Sequence, residues 1–268
     1  MGDVGAVSHR GRVREDNEDR YVARTTRAGT LIAVADGVGG EAGGELASAA
    51  AVNALASAFD GRARDIAGAL ATAVRGTNDA VLRTTGASPS PSAASTLVAA
   101  AVRGRQLAVA NLGDSRAYLV RRGVARQITT DHRGEVANSI TRFVGDPRGV
   151  APDVFVEALR ARDRVVLCSD GLTRHVEPSE IAALSAGPPE RAARALVDLA
   201  NARGGQDNVT VVVYAAPASG ARAIWVMLVA LVAIAVTALV TSTPVLAPGS
   251  PAPPTATPDA SPTPTTSP

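Results

Sequence analysis

The chain has 268 residues and a nominal net charge of +2, and every basic residue is an arginine. That balance leaves no broad cationic footprint, which excludes a nucleic-acid binder, and the single cysteine, Cys168, excludes a disulfide framework. The last fifty or so residues are not expected to be globular, so roughly 215 remain for one hydrophobic core.

Met1 to Arg14 is polar and reads as carrying no signal peptide, and Ala6 stands where a myristoylation motif wants Ser or Thr. Leu31 to Ala35 is a short apolar run that reads as a buried strand and leads into Asp36-Gly37. Glu41 to Phe59 reads as a helix with Leu46, Ala49, Val52, Ala56 and Phe59 on one stripe, and Arg64 to Leu82 as a second. Strand-like segments follow at 96–102, 106–110, 117–120 and 164–169. Cys168 lies within the last of these and is expected to be a buried, inert packing residue. Pro188-Pro189-Glu190 opens a helix that runs to Arg203, with Gly204-Gly205 as its stop, and Val209 to Tyr214 is a final strand. Long helices among many strands suggest helices packed on the outside of sheets.

Three carboxylates adjoin these apolar runs: Asp36, Asp170 and Asp207. They are expected at strand termini, where a fold can gather distant aspartates around one hard cation. Oxygen-only donors suit Mg²⁺ or Mn²⁺ rather than zinc. An Asp-Gly pair alone is an ordinary turn. Its repetition at Asp170-Gly171, after a second apolar run, favours a site.

Five motifs stand in order along the chain: Arg14-Glu-Asp-Asn-Glu18-Asp19, Ala35-Asp36-Gly37-Val-Gly39-Gly40, Gly113-Asp114-Ser-Arg-Ala-Tyr118, Cys168-Ser-Asp170-Gly171-Leu and Gln206-Asp207-Asn208-Val-Thr. Through them the chain, over roughly residues 3 to 214, resembles the metal-dependent Ser/Thr protein phosphatases of the PP2C type, in their bacterial form. It implies an α+β fold, an α-β-β-α sandwich of two antiparallel sheets flanked by helices, occupying 1–216. The implied activity is hydrolysis of phosphoserine and phosphothreonine by a metal-activated water, with two Mn²⁺ or Mg²⁺ ions. Asp36 is implied as the bridging carboxylate and the Gly37 carbonyl as a further ligand. Asp170 and Asp207 complete the first metal's shell, Glu18 and Asp19 lie near the second, and Arg14 binds the phosphate. Asp114 matches the aspartate that helps hold a third metal.

Some residues depart from the family pattern. Arg174 stands where relatives carry an acidic residue after Asp-Gly-Leu, which is expected to weaken a third metal site. Val38 follows Asp36-Gly37 where eukaryotic relatives carry an acid-base histidine, and His132 matches a family dipeptide with a structural part. Only 133–137 separate Asp131-His132 from Asn138-Ser-Ile-Thr, where bacterial relatives carry a longer mobile flap, so the flap is expected to be shortened and the cleft more open.

Ala223 to Val240 holds eighteen residues without a charge. As a helix it would rise about 1.5 Å per residue and match a bilayer's hydrocarbon thickness. A single membrane span is expected there, after a linker at 217–222. Arg222 on its N-terminal side keeps the catalytic domain cytoplasmic and sends the Pro/Ser/Thr-rich tail, 241–268, outside. The expected partners are phosphorylated proteins, including Ser/Thr kinases or their substrates. Two other readings stay open: a pseudophosphatase that binds phosphoproteins without turnover, favoured by Arg174 and the short flap, and a phosphoesterase acting on small molecules.

Overall fold

The computed structural model describes residues 2–39, 43–86, 93–136, 139–218 and 232–233. The chain divides after Ser219, and both sheets belong to the first unit. The apolar run at 223–240 and the tail at 241–268 lie outside the described residues, apart from Val232 and Ala233. Among the described residues no helix is long and apolar enough to cross a membrane.

In chain order the elements are β1 (Asp3–His9), β2 (Asp19–Thr26), β3 (Gly29–Gly39), α1 (Gly43–Ala58), α2 (Ile66–Thr85), β4 (Ala93–Ser95), β5 (Leu97–Arg103), β6 (Gln106–Leu112), β7 (Arg116–Arg121), β8 (Val124–Gln127), β9 (Asp153–Ala158), β10 (Arg164–Cys168), α3 (Asp170–Thr173), α4 (Pro178–Leu184), α5 (Pro189–Ala202) and β11 (Val209–Ala215). Pairing is antiparallel throughout. One sheet runs β1-β11-β10-β7-β8 and the other β2-β3-β5-β6-β9, with β4 paired to β3.

Side-chain alternation along β3 builds the layers. Ile32 and Val34 face the first sheet, meeting Leu119, Leu167 and Val212 between the two sheets. Leu31, Ala33 and Ala35 point the other way, onto α1 and α2 through Ala47, Leu55, Leu70 and Val74. On the far side Val166 and Val211 receive α3–α5 through Leu172, Ile181, Leu196 and Val197. Each such Leu, Ile or Val stabilises the fold by roughly 1.5–3 kcal/mol when fully buried. The result is the α-β-β-α sandwich implied by the resemblance.

Two sequence-based expectations are corrected. The buried stripe of α1 is Gly44, Ala47, Ser48, Ala51, Val52 and Leu55, which shares only Val52 with the expected set, and Leu46 is exposed. The small face wins because α1 lies tight against the chain: the Ser48 hydroxyl donates to the Glu18 carbonyl at 2.5 Å. A Cβ on Gly37 would also collide with the Gly44 carbonyl oxygen. Asp36, for its part, sits inside β3 and not at its terminus. The partner strand is interrupted there instead, between β4 and β5, where the Thr96 amide donates to the Asp36 carbonyl at 2.8 Å.

Arg122 (φ 54) and Arg162 (φ 67) are the non-glycine residues with a left-handed backbone among the described residues. Each costs about 1–2 kcal/mol against an extended or right-handed conformation.

Candidate metal centre and phosphate site

One cavity of about 200 Å³ gathers Arg14, Glu18, Asp36, Gly37, Asp114, Asp170, Arg174 and Asp207. Seven of the expected site residues thus meet, brought from the loop before β2, the middle of β3, the β6–β7 turn, the start of α3 and the approach to β11. Asp19, the eighth, lies buried beneath them. It stands directly opposite Asp36 in the β2–β3 ladder, and its Oδ2 accepts from the Ser169 hydroxyl at 2.7 Å. Its Oδ1 is buried without a hydrogen-bond partner.

Local chemistry explains why the chain folds this way. The Asn208 side chain clamps the N-terminal loop: its Nδ2 donates to the carbonyls of Arg10 and Asp16 at 3.0 and 2.8 Å, and its Oδ1 accepts from the Glu18 amide at 2.8 Å. Gly171 lets α3 start against this strand, because a Cβ there would strike the Asn208 carbonyl oxygen. The Asp36 amide donates to the Thr96 hydroxyl at 3.1 Å, and Thr96 in turn shares a 2.7 Å bond with Ser115 beside Asp114. These polar supports escape a reading of the sequence. Asn208 and Ser169 sit inside quoted motifs, but nothing local to Thr96 or Ser48 signals a role.

So many carboxylates raise one another's pKa, since burial and like charge both disfavour ionisation. Burial pushes Asp19 up to about 7, opposed by hydrogen bonds from Ser169 and Thr210. Asp36, half-buried, is held well above the usual range by desolvation and then by Asp19, Asp170, Asp207 and Asp114. Glu18 and Asp114 are raised mainly by desolvation too.

The guanidinium groups of Arg14, Arg174 and Arg133 offset part of this charge. Arg14 reaches Asp207 at 3.0 Å. Arg174 lies across two carboxylates: its Nε donates to Asp170 at 3.0 Å, a second nitrogen bonds the same oxygen, and it stands 3.8 Å from Asp207. Among the described residues no three acidic, His or Cys side chains converge closely enough to form a ready ligand set. The donors still fit a hard divalent cation: they are all oxygens, and the orphaned Asp19 Oδ1 is a buried acceptor with nothing to accept from.

Other expected roles resolve clearly. His132 is buried away from the cavity, with Nδ1 accepting from the Gly113 amide at 3.1 Å and Nε2 at 2.9 Å from Asp153. It braces the turn that carries Asp114. On the two sides of residues 137–138, which lie outside the described residues, the Gly134 amide donates to the Ser139 carbonyl and Arg133 pairs across to Ile140. Arg133 also comes within 3.4 Å of Asp114. Cys168 is buried, with its thiol pushed up to about 12 by desolvation, and is inert at neutral pH.

Comparison with known proteins agrees with this fold. The family model described as Protein phosphatase 2C matches residues 7–206. The chain is 36% identical over 229 residues to the serine/threonine protein phosphatase PstP of Mycobacterium tuberculosis, covering 78% of this chain and 44% of that protein. It is 33% identical over 229 residues to the serine/threonine phosphatase stp of Listeria monocytogenes, covering 75% of this chain and 91% of that one. The chain thus spans less than half the length of its mycobacterial relative. Among solved structures, the catalytic domain of PstP in complex with two manganese ions superposes with a TM-score of 0.71 at 36% identity, covering 80% of this chain and 97% of that one.

Proposed function

The chain belongs to the protein phosphatase 2C family, and from that premise we propose that it hydrolyses phosphoserine and phosphothreonine in proteins with the help of Mn²⁺ or Mg²⁺. The observation that carries this reading is the meeting of Arg14 with Glu18, Asp36, Asp114, Asp170 and Asp207 in one cavity. Asp36, Asp170, Asp207 and the Gly37 carbonyl would hold one cation, and Asp36, Glu18 and Asp19 a second, with Asp114 available to a third. Bound divalent cations supply an acidified water and polarise the phosphoryl oxygens.

The chain's own residues account for the remaining needs of the reaction. Arg14 is half-exposed at the mouth of the cavity, where its planar fork matches two phosphate oxygens. Asp36 is fixed by its place in β3 and by Thr96, so its carboxylate is preorganised and pays little entropy on engagement. Val38 lines the mouth, which leaves protonation of the leaving alkoxide to water rather than to a side chain.

A membrane anchor at 223–240 is part of this proposal and is supported by its eighteen uncharged residues. It would set the domain in the cytoplasm, near membrane-bound kinases and their substrates. Extraction of the full chain by detergent but not by alkaline carbonate is the expected result; release by carbonate would remove the anchor.

One observation favours a second reading, a phosphoprotein-binding pseudophosphatase: Arg174 already neutralises Asp170. Phosphate release from a phosphothreonine peptide, with Mn²⁺ and with chelator, decides between them. Release that needs metal and collapses to background in Asp36→Asn is expected. Peptide binding without release would establish the pseudophosphatase, and preferential turnover of a nucleoside monophosphate a small-molecule phosphoesterase.

A further inference from the structure

A cavity of about 860 Å³ shares no residue with the metal centre. It opens between the β7–β8 turn, the turn that precedes β10, and the end of β11. Five arginines line it, Arg121, Arg122, Arg160, Arg162 and Arg164, against the two acids Asp3 and Asp163. Asp163 is buried and already neutralised by Arg121, whose NH2 bonds it at 2.7 Å. Arg164 donates to the carbonyls of Ser185, Ala186 and Gly187. Asp3 is exposed on the cavity's rim. Arg122, Arg160 and Arg162 are exposed and have no side-chain partner among the described residues.

The backbone adds a second, independent observation. Arg122 and Gly123, with φ 54 and 79, form the two-residue loop of the β7–β8 hairpin, which favours Asn-Gly. Arg162, with φ 67, holds the third place of the turn closed by the Asp163 amide on the Arg160 carbonyl, where glycine is favoured. Among the described residues arginine thus occupies both left-handed positions that glycine does not fill, and both flank one cavity. Folding disfavours that choice, so the charge at the rim must serve something other than the fold.

We propose that this cavity binds the phosphates of anionic lipid headgroups and sets this face of the domain on the membrane. Guanidinium forks recognise phosphate oxygens in pairs. Lipid is the source because Ala216, Pro217 and Ala218 line the cavity and lead out of it. Only four residues, 219–222, with a reach of at most about 3.6 Å each, then separate Ala218 from the uncharged run. The inference rests on the anchor reading, which would hold headgroup phosphates at high local concentration beside these arginines.

Residues 1–218 hold both sheets and the three buried clusters, none of which draws on a residue beyond Ala216. This domain is expected to cosediment with phosphatidylcholine vesicles containing phosphatidylglycerol, less so as salt rises, and not with phosphatidylcholine alone. The combined Arg122→Gly, Arg160→Ala and Arg162→Gly variant should bind roughly a hundredfold more weakly, at about fivefold per arginine. Its glycines relieve left-handed strain, so its melting temperature should hold or rise while its turnover of a phosphopeptide stays unchanged. Equal binding to both vesicle types, no binding, or an undiminished variant overturns the proposal. So does occupation of the cavity by inorganic phosphate or a phosphopeptide without a vesicle preference. Because the domain lacks 223–240, failure here leaves the anchor reading to its own extraction test.

Discussion

The two halves of the metal centre face the same electrostatic problem and meet it differently. Asp19 and Asp36, paired across β2 and β3, have no ion pair to an arginine among the described residues, and burial raises their pKa so that protons do the neutralising. Asp170 and Asp207, at α3 and before β11, are covered by the guanidiniums of Arg174 and Arg14. A divalent cation must therefore release protons on one side and move arginines on the other. Metal affinity should accordingly depend on pH through the strand pair and on arginine chemistry through the helix pair.

The largest effect that tests the guanidinium half is Arg14→Ala. Losing charge-assisted hydrogen bonds to phosphate is worth about 1.5–3 kcal/mol, so kcat/KM for a phosphopeptide should fall roughly 10- to 100-fold. Mn²⁺ affinity should hold or tighten, because Asp207 is freed. Equal losses of metal and substrate affinity would mean that Arg14 serves only to shape the site.

Arg174→Ala should have the next largest effect. The side chain is 36% exposed, so solvent screening limits its hold on Asp170 to about 1 kcal/mol. Removing it should tighten Mn²⁺ binding about fivefold by titration calorimetry, and lower the melting temperature of the metal-free protein. Unchanged affinity would show that Arg174 swings away at no cost, and the contrast between the two halves would fail.

How far the sequence discloses this site depends on how local each feature is. Asp36-Gly37 and Asp170-Gly171 are legible because each follows an apolar run directly, and α5 is legible from its prolines and its Gly-Gly stop. The sandwich is not legible from pattern alone. Every residue of β11 is buried, since helices cover one face and the other sheet covers the opposite one, so an antiparallel strand shows the continuous apolar run expected of a parallel sheet. The α1 stripe misleads for a related reason. The helix packs through its alanines, which period counting weights less than Leu46. The arginine cavity is beyond local reading altogether, because its residues come from turns some forty positions apart that only the tertiary fold brings together.

The proton half makes the smallest and sharpest prediction. An unfolded aspartate ionises near its model value of 3.8, whereas folded Asp19 holds its proton to about 7. Between those values the folded state binds more protons than the unfolded one, so raising the pH from 4 to 7 destabilises the metal-free protein. Above 7 this contribution is fully lost, and Asp36, also raised by burial and neighbouring carboxylates, adds a loss of the same sign. Thermal melts in chelator should therefore fall by several degrees across this window, and Asp19→Asn, which carries no titrating group, should flatten the slope. With Mn²⁺ the sign reverses, because the cation binds only the ionised carboxylates and its stabilisation grows with pH. A melting curve in chelator that stays level from pH 4 to 7 would mean the strand pair is neutralised by something other than protons, leaving Asp19 Oδ1 without the role its isolation implies.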